Sequence, residues 1–169
     1  MVTMKKIWIV LTLLVAMAST VFAAGVKVEA PESCKYCNMD RTKFAHSRMM
    51  VTYTDGTSTG VCSINCAVID MNLTKKEVKK AEVGDYNSKK LIDAKTASWV
   101  IGGSKKGVMT PVAKWAFADQ KTAEAFIKAN GGKLATFDDV VKVTEEEHKN
   151  GHGGGHKKDM KHQHGDHKM

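Results

Sequence analysis

The sequence predicts an α+β fold made of two similar ββαβ units packed together, followed by a disordered, histidine-rich C-terminal tail. Three observations carry this expectation. Short apolar segments bracket a turn at Asp55-Gly56 and again at Gly102-Gly103-Ser104, as paired strands do. Each pair is followed by a stretch with helix-start signals and then by another short apolar run. The order strand, strand, helix, strand therefore occurs before and after about residue 93, without sequence identity between the halves. A half of about 60 residues is marginal alone, so the two halves are expected to share a core.

The chain opens with the signature of an export signal over residues 1–24. Lys5 and Lys6 form a positive start, Ile7 to Val15 is an apolar run, and Thr20 to Ala24 offers small residues before Gly25. The run is too short for a stable membrane span and no stop-transfer pattern follows it. No cysteine stands at its end, so a lipid anchor is not expected. Loss of the signal lowers the formal charge from +8 to +6. That excess argues only weakly for nucleic acid, and export argues against it.

The first unit is expected over residues 25–93. Gly25 to Ser33 reads as an extended arm, since Pro31 discourages a helix. Cys34-Lys35-Tyr36-Cys37 is a tight knuckle, in which two intervening residues let both sulfurs face one ion. Arg48 to Tyr53 and Thr57 to Cys62 read as a hairpin through Asp55-Gly56. Cys62-Ser63-Ile64-Asn65-Cys66 enters a short helix with Ser63 near its N-cap, and the positive end of a helix favours the thiolate. Ala81 to Tyr86 closes the unit. Lys75, Lys76, Lys79 and Lys80 read as a solvated face.

All four cysteines lie between Cys34 and Cys66, a spacing that can bring four sulfurs to one point. In an exported chain the same residues permit three complete disulfide pairings, so a soft-metal site and a disulfide-bonded cluster both stay open. Cys62 and Cys66 also read as a pair apart, either a disulfide or a separate acceptor site. Met39, two residues past the knuckle, offers a thioether to a soft ion such as Cu(I), or packs as core. His46 completes a Cys/Met/His set, or is an ordinary surface histidine.

The second unit is expected over residues 94–141. Ala97 to Ile101 is a strand, Val108 to Ala118 a longer stretch, and Asp119 caps a helix with Ala123, Phe126 and Ile127 on one face. Asn130-Gly131-Gly132 ends that helix, and Lys133 to Phe137 is the last strand. Met109 follows a glycine-containing turn, from which it either reaches a site on the other half or plugs the core between units. Residues 142–169 are read as the disordered tail. His148, His152, His156, His162, His164 and His167 lie there among glycines and lysines, a composition suited to auxiliary capture of Cu, Zn or Ni.

The chain resembles the NosL family of nitrous oxide reductase accessory proteins. The likeness runs through Cys34-x-x-Cys37-x-Met39, Gly84-Asp85-Tyr86, Leu91 to Ala94, Trp99 to Gly103, Gly107-Val108-Met109, Phe117-Ala118, Gly131-Gly132 and Phe137-Asp138. It implies paired strand-strand-helix-strand units and a Cu(I) site formed by a cysteine of the first pair with Met39 and Met109. It also implies copper delivery to a respiratory reductase, or another metalloprotein, in the periplasm, with only transient contacts to membrane proteins. The chain departs from the family pattern at Asn38, where glycine is usual, and in lacking a lipid-anchor cysteine. Cys62 and Cys66 are additions, which with the first pair look like the small treble-clef-like metal domains of the TRASH and YHS kinds.

The expected function is thus an exported Cu(I) carrier rather than an enzyme. Zinc is the alternative ion, in a structural module. A thiol-disulfide oxidoreductase would use Cys34 and Cys37, but no acid is placed beside either pair to serve as proton donor, although Asp40 is near.

Overall fold

The computed structural model describes residues 28–151. Signal residues 1–24 and tail histidines from His152 onward lie outside them. In the first unit β1 (Met49–Tyr53) and β2 (Ser58–Val61) form the expected hairpin, followed by α1 (Ile64–Thr74), β3 (Val78–Gly84) and β4 (Leu91–Asp93). The second unit holds β5 (Ser98–Ile101), β6 (Lys114–Phe117), α2 (Gln120–Asn130) and β7 (Lys133–Ala135), after which α3 (Phe137–Lys149) runs on.

Both sheets are antiparallel and share one plan. The first strand of each unit is central, flanked by its hairpin partner and by the strand after the helix, giving the orders β2-β1-β3-β4 and β6-β5-β7. The two ββαβ units expected from sequence are therefore seen, the first with β4 added at its edge.

The sheets meet at Asp85 and Tyr86. Asp85 forms a parallel bridge with Ala116, its Oδ1 accepts from the Ala118 amide at 2.9 Å, and the Tyr86 amide donates to the Ala116 carbonyl at 2.8 Å. The Tyr86 ring then inserts among Trp115, Phe117 and Phe126, with centroids 5.0 to 5.5 Å apart. Aromatic contacts at such separations add to the burial of their area. Just before the seam, Gly84 lets the 45–46 backbone of the first unit pack against β3, since a Cβ there would lie 2.1 Å from the Ala45 carbonyl oxygen.

The helices differ in how much of their surface is covered. On α2 only Ala123 and Phe126 are buried, the single stripe of a surface helix. On α1 the run Ile64 to Val68 is buried throughout, because sheet strands β1 and β2 lie on one side and α3 on another. A helix enclosed this way shows no clean polar face in its sequence.

Helix α3 corrects the expectation of disorder from residue 142. Thr136 and Asp139 form a capping box: Thr136 Oγ1 accepts from the Asp139 amide, and Asp139 Oδ2 accepts from the Thr136 amide. Phe137, Val140, Thr144 and Glu147 then bury one face. Phe137 thus begins this helix instead of ending the preceding strand, and its ring lies 6.1 Å from that of buried Trp99. Residues 142–149 are consequently an integral layer of the fold.

Candidate metal centre

The knuckle is a miniature hairpin. Ser33 bridges Asp40, the Cys34 amide donates to the Met39 carbonyl at 2.9 Å, and the Asn38 amide donates to the Cys34 carbonyl at 3.0 Å. Asn38 closes it with φ 56°, a left-handed conformation that asparagine tolerates better than most residues. This accounts for asparagine at a position where the resemblance leads one to expect glycine.

Behind the knuckle lies a buried guanidinium. Arg41 donates to the Val61 and Met49 carbonyls at 3.2 Å each and to the Glu29 carbonyl at 2.7 Å. The Glu29 carboxylate pairs with both Arg41 and Arg48, at 3.0 and 2.8 Å. The arm, the knuckle and the hairpin are thereby held together at the end of β2, directly before Cys62. Cys66 follows in the first turn of α1.

Four sulfurs converge. Cys37 lies 3.4 Å from Cys62, Cys62 lies 3.8 Å from Cys66, and Cys66 lies 3.9 Å from Cys37, with the Cys34 sulfur inside the same group whose members are all within 4.8 Å. All four are free thiols, spaced beyond the ~2.05 Å of a disulfide. Four sulfurs about 2.3 Å from one ion at tetrahedral angles would be about 3.8 Å apart. The observed edges bracket that value. Cys34, Cys62 and Cys66 are buried and Cys37 is half-buried, so the centre is more enclosed than an open mixed-sulfur site. The second pair shares one group with the first instead of forming a site of its own.

The electrostatics fit a cation. Thiols of Cys62 and Cys66 facing Cys34 pull its pKa well below the ordinary value, against the effect of burial. Interaction with the Cys34 thiolate pushes Cys62 and Cys66 up, and burial adds to this. Without an ion the cluster thus holds protons shared among its thiols, with Cys34 the one drawn toward the thiolate. A bound cation replaces those protons, which makes binding release them.

The other predicted ligands are placed elsewhere or beside the cluster. Met39 follows left-handed Asn38 on the return arm of the knuckle and is partly buried against the core. His46 is not in the four-sulfur group; its ring packs against Phe44, Tyr86 and Trp115, with centroids 5.4 to 6.3 Å away. Burial, and then the charge of Lys89, lowers its pKa. Met109 stands in the loop before β6, partly buried, with φ 59°. Its neighbour Thr110 donates to Glu147 on α3 at 2.6 Å, and buried Lys114 reaches the same carboxylate at 2.7 Å. His148 lies on α3, not in a flexible tail, and its Nε2 is 2.8 Å from Asn65 Oδ1, next to Cys66. Helix α3 therefore touches both the loop of Met109 and the helix of Cys66.

One residue that sequence reasoning missed is Asp70. It is a buried acid one turn beyond Cys66, and it binds the two residues between Cys34 and Cys37. Its spacing of four from Cys66 was the available signal. Asp40, near the first pair in sequence, instead caps the following turn through the Thr42 and Lys43 amides.

Residues 25–144 match the NosL family. Among solved structures, the chain is similar to the copper chaperone NosL from Shewanella denitrificans, with 26% identity and a TM-score of 0.58, over 69% of this chain and 95% of that one. No curated protein matches.

Proposed function

The chain belongs to the NosL family, and from that membership we propose that it is an exported Cu(I) carrier that delivers copper to a respiratory copper enzyme, such as nitrous oxide reductase, in the periplasm. The observation that supports this most is the convergence of four free thiols inside a NosL-type fold. Copper is the cargo, and thiolate and thioether sulfur are the ligands a soft ion prefers. Cys37, the half-buried member, is the edge at which exchange begins. A ligand of the receiving protein bonds to the ion there, the bond to Cys37 breaks, and the freed thiolate takes up a proton. Met39 and Met109 are the thioethers that the family resemblance assigns to the cargo. The histidines from His152 onward add weaker capture.

A second reading, resident zinc, is favoured by one feature: four thiols gathered within 4.8 Å of one another, three of them buried, can form a closed shell, which suits a structural ion. Adding Cu(I) to the zinc-loaded full chain under anaerobic conditions separates the two. Stoichiometric zinc release with tight copper uptake supports the carrier at the cluster. Retained zinc without copper uptake supports the structural module. Turnover of a dithiol substrate by the metal-free protein would instead indicate an oxidoreductase.

A further inference from the structure

The Asp70 side chain has 0% exposure and its carboxylate takes three donors. Lys35 Nζ donates to Oδ1 at 2.9 Å, the Tyr36 hydroxyl donates to Oδ1, and the Tyr53 hydroxyl donates to Oδ2. Lys35 and Tyr36 are the two residues enclosed by Cys34 and Cys37, Tyr53 ends β1, and Asp70 is on the helix that carries Cys66. A buried carboxylate is tolerated only when its lone pairs are filled, and hydrogen bonds to an ionised group are the stronger kind. Sheet, helix and knuckle are therefore drawn to a single point.

Arg41 ties the end of the knuckle to the sheet through the Val61 and Met49 carbonyls, whereas the knuckle's nitrogen and oxygen hydrogen bonds to α1 run through Asp70. The knuckle's internal bonds, Cys34 to Met39 and Asn38 to Cys34, shape it without attaching it to α1, and its backbone bond to β2, from the Lys35 amide to the Gly60 carbonyl, is long at 3.4 Å. Cys62 and Cys66, by contrast, are placed by β2 and α1 themselves. We propose that Asp70 is the positioning residue of the metal centre, fastening the Cys34–Cys37 knuckle to the helix of Cys66 and so setting the separation of the two thiol pairs. The Asp70 carboxylate hydrogen-bonds to no cysteine; it acts through Lys35 and Tyr36. This rests on the reading of the four thiols as a metal centre.

The test uses the full chain, reduced and metal-free, with brief iodoacetamide treatment and mass-spectrometric rates for each cysteine. Asp70→Asn should speed modification of Cys34 and Cys37 while Cys62 and Cys66 keep wild-type rates. Tyr36→Phe removes one donor and should shift the same two cysteines in the same direction by less, which keeps the test valid where Asp70→Asn fails to fold. Val140→Ala, a destabilised comparator in α3, should show no preference between the pairs. Unchanged rates in Asp70→Asn, or equal acceleration of all four cysteines in both Asp70→Asn and Tyr36→Phe, overturn the proposal. Co(II) binding by the same proteins should weaken roughly 10- to 100-fold in Asp70→Asn. Alkylation needs no metal, so a wild-type protein that takes up no Co(II), Zn(II) or Cu(I) overturns the metal-centre reading while the alkylation pattern still judges the role of Asp70 in positioning.

Discussion

Single residues decide whether the knuckle holds its shape. Asn38 has φ 56°, a conformation that costs most side chains about 1–2 kcal/mol. Asn38→Gly should leave stability nearly unchanged, while Asn38→Val should lower it by at least that amount, as chemical denaturation will measure. Glu29 is a second such residue, because it neutralises Arg41 and Arg48 together. Burial raises its pKa, but hydrogen bonds and charge from the two arginines outweigh this and hold it below the ordinary 4.5. The stability it contributes is thus full above pH 4.5 and lost as pH falls through the lowered folded value. Glu29→Gln should cost about 2 kcal/mol near neutrality. In thermal melts across a pH series, the gap to wild type should close in acid. At this scale the sequence made the cysteines legible through spacing alone. Asp70 was marked only by its spacing of four from Cys66; its role was not legible, because its partners Lys35 and Tyr36 are 35 and 34 residues away and only the fold brings them together.

At the scale of elements, strands and the helix α2 follow from local signals: the Asp55-Gly56 turn, the Asp119 cap and the glycines at 131 and 132 all stand where expected. Helix α3 did not emerge, although Thr136 and Asp139 supply its start. The run Glu145-Glu146-Glu147 with Lys142 and Lys149 resembles a solvated tail, and the buried stripe of Phe137, Val140, Thr144 and Glu147 contains two polar residues. Both find tertiary or backbone partners, Glu147 Oε2 with Lys114 and Thr110, and Thr144 with the Val140 carbonyl, while Glu147 Oε1 is buried without one among the described residues. Thr136→Ala should cost about 1 kcal/mol through loss of the cap. Val140→Ala, at 0% exposure, should cost about 2 kcal/mol. A chain ending at residue 141 should be far less stable than one ending at Gly151, since it lacks Thr144, Glu147 and His148; calorimetry of the two truncations will show the difference.

For the whole molecule, the duplicated ββαβ plan explains how two thin layers make one core. The seam at Asp85 and Tyr86 joins the sheets, and α3 packs against α1 while holding the loop of Met109 through Thr110. The cysteine centre thus belongs to one unit and the resemblance-assigned Met109 to the other. Removing residues 152–169 should leave the tight metal site intact and reduce only weaker binding, because every cysteine and both candidate methionines remain; equilibrium dialysis with Cu(I) before and after truncation checks this. Competition for Cu(I) against a chromophoric chelator under anaerobic conditions shows most directly whether these thiols carry transferable copper. The full chain would be compared with single Ser replacements of Cys34, Cys37, Cys62 and Cys66, and with Met39→Leu and Met109→Leu. One tight Cu(I) per chain is expected, weakened at least about ten-fold by loss of Cys34 or Cys37. Tight copper binding that survives every one of these substitutions, or its absence in the wild-type chain, would contradict copper carriage by these thiols.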